Sequence, residues 1–544
     1  MLVRLLVLLP IINLIVGAKS SKFKNFQQNL DHFESNTKQL FNQRYIINSK
    51  YYNGSHNMLF VLGGKGGIAP DLVDKGHVVE LAQKIGAVIV GLEHRFYGQS
   101  RPYDTTTSDH LQFLTSKQAV ADAGRFIEWI INTELKKCTI RRTITVGGGY
   151  GGSLSAWVRA RYPHLVIGSI ASSAPLLAKQ DFWEYDQVVV QAIGDECFND
   201  LKTGMNEAVN WIYNYIDQIR KKLKCGSTMN AVDIIYVLAD AVSIAIQNNQ
   251  ENGTSKYQTR KNLCDIMTAE VGKERTKADL LLTFIEQLFD NMSTSCYNIS
   301  LMDERLKREQ DQYVNGDREW LYQQCSEFGF FQIALPQGQE GHQLRDMSIN
   351  DQFYQTQCGL IFFPQPQLNI NATNIYFGGV DNFKGTNIAF VNGELDPWNR
   401  LSIQYDNIEK DALKQHNISL SPKDDRLRLQ HWTVLQVANG SHSNDLWETT
   451  ASDSESLNAT RKYVDETVMN WIEAASLLEE ERLHDKNSNI SFNSPLFIVA
   501  VIVFVFSVII LIIGAIFISR RWANRKQYSQ IEAPLLGDQQ TSRR

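Results

Sequence analysis

Several signals that would announce a function are missing from this chain of 544 residues. There is no basic surplus: 54 Lys and Arg face 59 Asp and Glu, a formal net charge of -5, so no positive field points to nucleic acid. There are no closely spaced cysteine pairs. Cys138, Cys197, Cys225, Cys264, Cys296, Cys325 and Cys358 lie too far apart for a zinc cluster, and no metal or cofactor is expected. The glycine-rich stretch Gly147-Gly-Gly-Tyr-Gly-Gly152 is not followed by Gly-Lys-Ser/Thr. Nor does an acidic partner stand about 20 residues on from the G-x-G-x-x-G spacing after Val146. A phosphate-cradling loop is therefore not the reading to pursue.

What is present begins with two long apolar runs near the ends. Arg4 precedes Leu5 to Val16, which closes on Gly17-Ala18; this has the form of a secretory signal, residues 1–18, and is left out of the fold. Pro495 to Ile518 is apolar, uncharged and long enough to cross a bilayer as a helix. Arg520, Arg521, Arg525 and Lys526 follow it and hold that end in the cytoplasm. The expectation is a single-pass type I membrane protein with a lumenal or extracellular body. Sequons at Asn53, Asn252, Asn291, Asn298, Asn371, Asn417, Asn439, Asn458 and Asn489 all precede the span, as do all the cysteines, so up to three disulfides and one leftover thiol are expected. Their pairing is not assigned by the sequence.

Between the ends, short apolar runs bounded by glycine alternate with helical stretches. Gln43 to Ile47, Met58 to Leu62, Ala87 to Val90, Thr143 to Val146, Val166 to Ala171, Ile388 to Val391 and Val434 to Val437 read as strands. His77 to Ile85 and Ala119 to Thr133 read as helices, which together predict a parallel sheet covered by helices. From Tyr185 to Ile361 the texture is helical, as in Ala208 to Leu223, Ala231 to Gln247 and Leu280 to Phe289, and six of the seven cysteines fall there. The expected fold class is α/β. The body occupies residues 19–184 and 362–484, and a mostly helical, disulfide-containing cap, 185–361, is inserted over the strand ends where such sheets bind ligands. A closing helix from Ala459 to Leu483, a polar stalk at 485–494, the span at 495–518 and a tail at 519–544 complete the chain.

The glycine-rich stretch sits between a β-branched run and the helical spacing of Leu154, Ala156, Trp157 and Val158. Strand, tight turn and helix make the frame of a nucleophile elbow, G-x-S-x-G, with Gly147 and Gly151 at its flanks. The central residue is Gly149, and the nucleophile is absent. In this architecture the acid and the histidine follow in chain order. Asp396 lies in Asn392-Gly-Glu-Leu-Asp-Pro-Trp398 just past one strand and His442 just past the next, and these are the candidates for orienting acid and base.

These motifs identify a resemblance. The chain is similar to the single family of α/β-hydrolase-like serine exopeptidases that holds the carboxypeptidases cleaving after proline, the lysosomal dipeptidyl peptidases and the thymus-specific serine protease. The likeness runs from about Leu30 to Ile472. It is carried by Leu30-Asp-His-Phe33 with Gln43-Arg-Tyr45, Glu93-His-Arg-Phe-Tyr-Gly98, Leu114-Thr-Ser-Lys-Gln-Ala119, Tyr162-Pro-His-Leu165 with Ser173-Ala-Pro175, Trp320 to Gly329, and Asn392 to Trp398. The resemblance implies an α/β-hydrolase fold and hydrolysis of peptide bonds near a free end, often at proline. It puts the family's acid on Asp396 and its histidine on His442. Its serine, in Gly-Gly-Ser-Tyr-Gly-Gly, falls on Gly149. The surviving oxyanion donors are the amide of Tyr150 and one from the loop Gly63 to Gly67. Lys65 stands where relatives carry an acid and, with Trp398, is a binding candidate; its ammonium would favour peptides with a free C-terminal carboxylate.

Three functions remain in play: a membrane-anchored pseudoenzyme, an exopeptidase using another hydroxyl such as Ser153 or Ser155, and a glycoprotein that binds peptides or a partner. The sequon Asn439-Gly-Ser441, three residues before His442, would place a glycan beside a working cleft. In the tail, Tyr528-Ser-Gln-Ile531 and Leu535-Leu536 resemble adaptor-read sorting signals, which favours endosomes or lysosomes over the cell surface. A homodimer is left open.

Overall fold

The computed structural model describes residues 21–34, 36, 38–249, 259–272, 275–296, 316–339, 341–404, 432–488 and 495–528. The signal segment 1–18, the sequons at Asn252, Asn298, Asn417 and Asn489, and Ile531, Leu535 and Leu536 lie outside them. The chain forms two compact units, Met1–Ala474 and Ala475–Arg544.

The first unit is built on an eight-stranded sheet. Its members are β1 (Phe23–Asn29), β2 (Leu40–Asn48), β3 (Asn57–Leu62), β4 (Val88–Leu92), β5 (Arg142–Gly148), β6 (Gly168–Ser172), β9 (Ile388–Gly393) and β10 (Trp432–Val437), and their spatial order is β1-β2-β4-β3-β5-β6-β9-β10. That is the strand order of an α/β-hydrolase. The sheet is mixed rather than wholly parallel, because β2 runs antiparallel to both β1 and β4. β1 was not legible as a strand: only Phe26 and Gln28 of it are buried, so its sequence lacks the run of β-branched residues that marks the interior strands.

Alternation along β3 shows how the core is divided. Met58, Phe60 and Leu62 join the core on one face of the sheet and Leu59 and Val61 the core on the other. The first face is covered by α2 (Ser116–Asn132) and α3 (Tyr150–Arg161), whose Phe126, Ile127, Trp157 and Val158 are buried. The second is covered by α1 (His77–Ile85) and by α11 (Glu455–Ser488), which contributes Val464, Val468 and Trp471. α1 matches its predicted span residue for residue; Gly86 ends it in the left-handed region at φ 64°, the usual role of glycine there.

The helical insertion enters and leaves beside a two-stranded parallel ribbon of β7 (Lys179–Asp181) and β8 (Gly329–Phe331). Its helices are α4 (Glu184–Leu223), α5 (Ala231–Gln247), α6 (Thr259–Met267), α7 (Lys277–Met292) and α8 (Asp317–Gln323), with α9 (Asp351–Ile361) and α10 (Ile370–Phe377) following β8. Capping boxes, Asn230 with Asp233 and Thr276 with Asp279, start α5 and α7 by satisfying amides that have no partner within the helix. Disulfides join Cys197 to Cys264, Cys225 to Cys296 and Cys325 to Cys358, and the leftover thiol is Cys138.

The closing helix is longer than its apolar spacing suggested. α11 continues to Ser488, into residues read as stalk, because Glu479-Glu-Glu-Arg is polar but strongly helix-forming. In the second unit α12 spans Pro495–Tyr528. Its segment Val501–Trp522, of mean hydropathy 3.4, is long and apolar enough to cross a membrane. The helix does not stop at the basic residues after Ile518, and Tyr528 is its last residue.

Candidate active site

β5 delivers its last residue, Gly148, to the edge where α3 begins, and Gly149 makes the whole connection. Its φ of 57° and ψ of -128° lie where side chains are strained, the backbone shape of a nucleophile elbow. The flanking glycines are sterically required. A Cβ on Gly147 would lie 2.1 Å from the Gly151 carbonyl, one on Gly151 2.7 Å from the Leu62 carbonyl, and one on Gly152 2.6 Å from the Ser172 carbonyl. Gly149 is different. A Cβ there would meet only the His442 ring, with Nε2 at 2.9 Å and Cε1 at 3.5 Å.

The ring reaches that place because adjacent strands deliver it. β9 and β10 pair in parallel, and the loops that leave them are tied by main-chain bonds, Glu394 N–H to the Val437 carbonyl at 3.0 Å and Leu395 N–H to the Gly440 carbonyl at 2.9 Å. Asp396 in one loop is fully buried. Both of its carboxylate oxygens stand 3.0 Å from His442 Nδ1 in the other. Asp396 also accepts from the Trp398 amide at 3.1 Å, so the carboxylate is held from two sides. Such an acid fixes the imidazole with its proton on Nδ1 and its lone pair on Nε2. The backbone N–H of His442 donates to the Gln247 carbonyl at 3.2 Å. Gln247 Oε1 accepts from Trp398 Nε1 and from the Tyr185 hydroxyl, each at 2.8 Å. The C-terminal end of α5 thereby joins the insertion to the imidazole and to the Trp398 ring, whose centroid is 6.5 Å from that of His442.

Below the turn lies a buried polar chain. The Tyr150 hydroxyl accepts from Gln323 Nε2 and bonds His94 Nε2, each at 3.0 Å, while the Tyr97 hydroxyl donates to Gln323 Oε1 at 2.7 Å. Gln323 also donates to Glu327 at 3.2 Å. Burial pushes the Glu327 carboxyl up to about 7, although it accepts from the Ser116 amide and hydroxyl at the start of α2, at 3.0 Å each. Burial also lowers His94 to about 4, which keeps that ring neutral at ordinary pH. The amide of Tyr150 opens α3, and the Gly64 backbone comes so near that a Cβ on Gly64 would be 2.8 Å from the Gly151 nitrogen. Two amide-bearing segments therefore flank the turn. Gly63 N–H is already used by the Leu92 carbonyl, which leaves the amides after it as the loop's candidates.

The remaining sequence candidates part company with this centre. Ser153 is fully buried and its hydroxyl donates to the Pro175 carbonyl at 2.8 Å; Ser155 shares a 2.8 Å bond with Ser169. Neither hydroxyl bonds His442 among the described residues. Lys65 is paired with Asp317 at 3.0 Å, both side chains partly exposed. Gln247, Tyr185, Gln323 and Glu327 were missed. Gln323 and Glu327 stand four apart in Trp320 to Gly329, a spacing that marks one helix face; Gln247 carries no such mark.

A family model described as serine carboxypeptidase S28 matches residues 28–414. Thymus-specific serine protease of Mus musculus is 30% identical over 473 residues, covering 82% of this chain and 86% of that protein. Lysosomal Pro-X carboxypeptidase of Homo sapiens is 29% identical over 485 residues, covering 84% and 89%. Among solved structures, proline iminopeptidase of Mycobacterium smegmatis aligns at a TM-score of 0.35 and 11% identity over 83% of this chain and 100% of its own. That superposition is loose, and the strand order is the stronger statement of the fold.

Proposed function

The chain belongs to the serine carboxypeptidase S28 family, and from that premise we propose a membrane-anchored, peptidase-like protein whose hydrolysis of peptide bonds near a free end is lost or much reduced. One observation carries the reading. The imidazole of His442, oriented by Asp396, faces a turn whose central residue is Gly149, and an acyl-enzyme route requires a hydroxyl there. In this reading Asp396 is the acid, His442 the base and the Tyr150 amide an oxyanion donor. Trp398 forms a wall of the pocket, and the insertion caps the entrance for peptides with free termini. Ser153 is a poor substitute nucleophile because its hydroxyl is committed to Pro175.

The apolar helix within α12 and the lysosomal Pro-X carboxypeptidase among the relatives support a single-pass protein with a lumenal body in endosomes or lysosomes. In that topology residues 1–18 are removed as a signal, and the tail residues Tyr528 to Ile531 and Leu535-Leu536 face sorting adaptors. The deciding experiment is Gly149→Ser in the full-length protein. A Cβ only 2.9 Å from Nε2 requires the ring to retreat by a few tenths of an ångström, which a side-chain tip can do. The expected result is hydrolysis of proline-containing peptides and capture of a fluorophosphonate by the variant, with neither in the wild type. Covalent capture by the wild type would overturn the reading.

A further inference from the structure

We propose that the wild-type protein keeps a hydrolytic reaction of its own: general-base attack of water on activated acyl compounds, esters and thioesters, with no covalent intermediate. This rests on the roles of Asp396 and His442 given above and adds a reaction to them.

Three features on one side of the turn support it. First, the base is already set. Both Asp396 oxygens hold Nδ1, and the backbone of His442 is tied to Gln247, so the Nε2 lone pair is aimed without reorganisation. Second, apart from Gly149 and its chain neighbours, the described atoms within 4 Å of the Cβ position at Gly149 are Nε2 and Cε1 of that ring. The space that a side chain at Gly149 would enter faces the imidazole, and the attacking water is seated there, bonded to Nε2 at about 2.8 Å. Third, the first amides of α3 have no acceptor within the helix, and the Gly64 backbone is packed against Gly151. Amide donors are thus available where an acyl oxygen gains charge.

The water oxygen bonds to the acyl carbon while its proton passes to Nε2 and the carbonyl electron pair moves onto oxygen. Collapse of the tetrahedral species re-forms the carbonyl and breaks the bond to the leaving alkoxide or thiolate, which takes the proton back from Nε2. A carboxylic acid and an alcohol or thiol leave, and the imidazole is neutral again. Esters and thioesters suit this route because their leaving groups depart more readily than an amine, and no acyl-serine divides the barrier into two steps. The expected acceleration is roughly 10³ to 10⁴ over water, the level left when a triad is disabled but its oxyanion donors and binding remain.

The test follows p-nitrophenyl acetate and an acetyl thioester with the detergent-solubilised full-length protein. The wild type is expected to give linear progress without a burst, unaffected by a fluorophosphonate. His442→Ala should lower the rate at least ten-fold, Asp396→Asn should lower it as well, and His164→Ala, at an exposed position, should leave it unchanged. Equal rates for the wild type, His442→Ala and Asp396→Asn, with matching circular dichroism, would overturn the proposal, as would a burst or loss of activity to the fluorophosphonate. If Gly149→Ser gains peptidase activity while the wild type shows no His442-dependent rate, this inference fails and the assignment of Asp396 and His442 as acid and base stands; if neither appears, that assignment of roles falls with it.

Discussion

At the scale of single residues the hydroxyls nearest the turn separate into structural and absent. Ser153→Ala is expected to leave any hydrolysis unchanged and to cost about 1 kcal/mol of stability, since it removes one buried hydrogen bond and strands the Pro175 carbonyl; activity and urea unfolding measured on one preparation check both. Glu327 gives a pH signature. Its folded carboxyl titrates at about 7, above the 4.5 of an unfolded Glu, so the folded state binds the extra proton between those values. Its contribution to stability rises as pH falls from 7 toward 4.5. His94 acts in the opposite sense, because a folded value of about 4 makes the native state lose stability as pH falls from the unfolded 6.5 toward 4. The clean measurement is therefore a difference. Relative to the wild type, Glu327→Gln should be more stable at pH 7.5, and that advantage should shrink by pH 5; melting temperatures that differ by the same amount at both pH values would refute it. The neighbouring insertion holds a starker case. Arg345 is fully buried beside Asp186 and Asp240, at 3.2 and 3.4 Å. Arg345→Ala leaves two buried carboxyls unbalanced and is expected to cost about 3–5 kcal/mol near neutral pH.

At the scale of elements, what could be read was what had a strong period. His77 to Ile85 and Ala231 to Gln247 were delimited by apolar residues at helical spacing, and the structure has the same bounds. Asp396 and His442 were legible because each follows a short apolar run that forms a strand, and parallel neighbours put their trailing loops at one edge. Strand β1 was hidden by its polar, half-exposed sequence, and the length of α11 by charged residues that form helix as readily as loop. The ion pair of Lys65 was illegible for another reason: its partner Asp317 is more than 250 residues away in sequence, and no local pattern announces such a pair. Caps and staples carry their own expectation. Asn230→Ala should cost about 1 kcal/mol by removing the capping box of α5, and replacing Cys197 and Cys264 together by Ala about 2–4 kcal/mol by freeing a 67-residue loop. Denaturant unfolding of each variant checks the order, with the cross-link the larger of the two.

At the scale of the whole molecule the two units make separate demands. A chain ending before Pro495 is expected to leave the membrane fraction on alkaline carbonate extraction, while the full-length chain remains in it; retention of the shortened form would remove α12 from the role of anchor. The body, for its part, holds the acid and the base through its own sheet. The ties between the two loops, Glu394 to Val437 and Leu395 to Gly440, are bonds between main-chain groups, which every substitution except proline preserves. Mutation can therefore wear away the surface and the pocket of such a protein without scattering its proton-handling pair, provided the sheet still folds. A glycine codon ending in a pyrimidine is a single nucleotide from a serine codon, so a lineage that had lost this oxygen would, with such a codon, stand one step from regaining it.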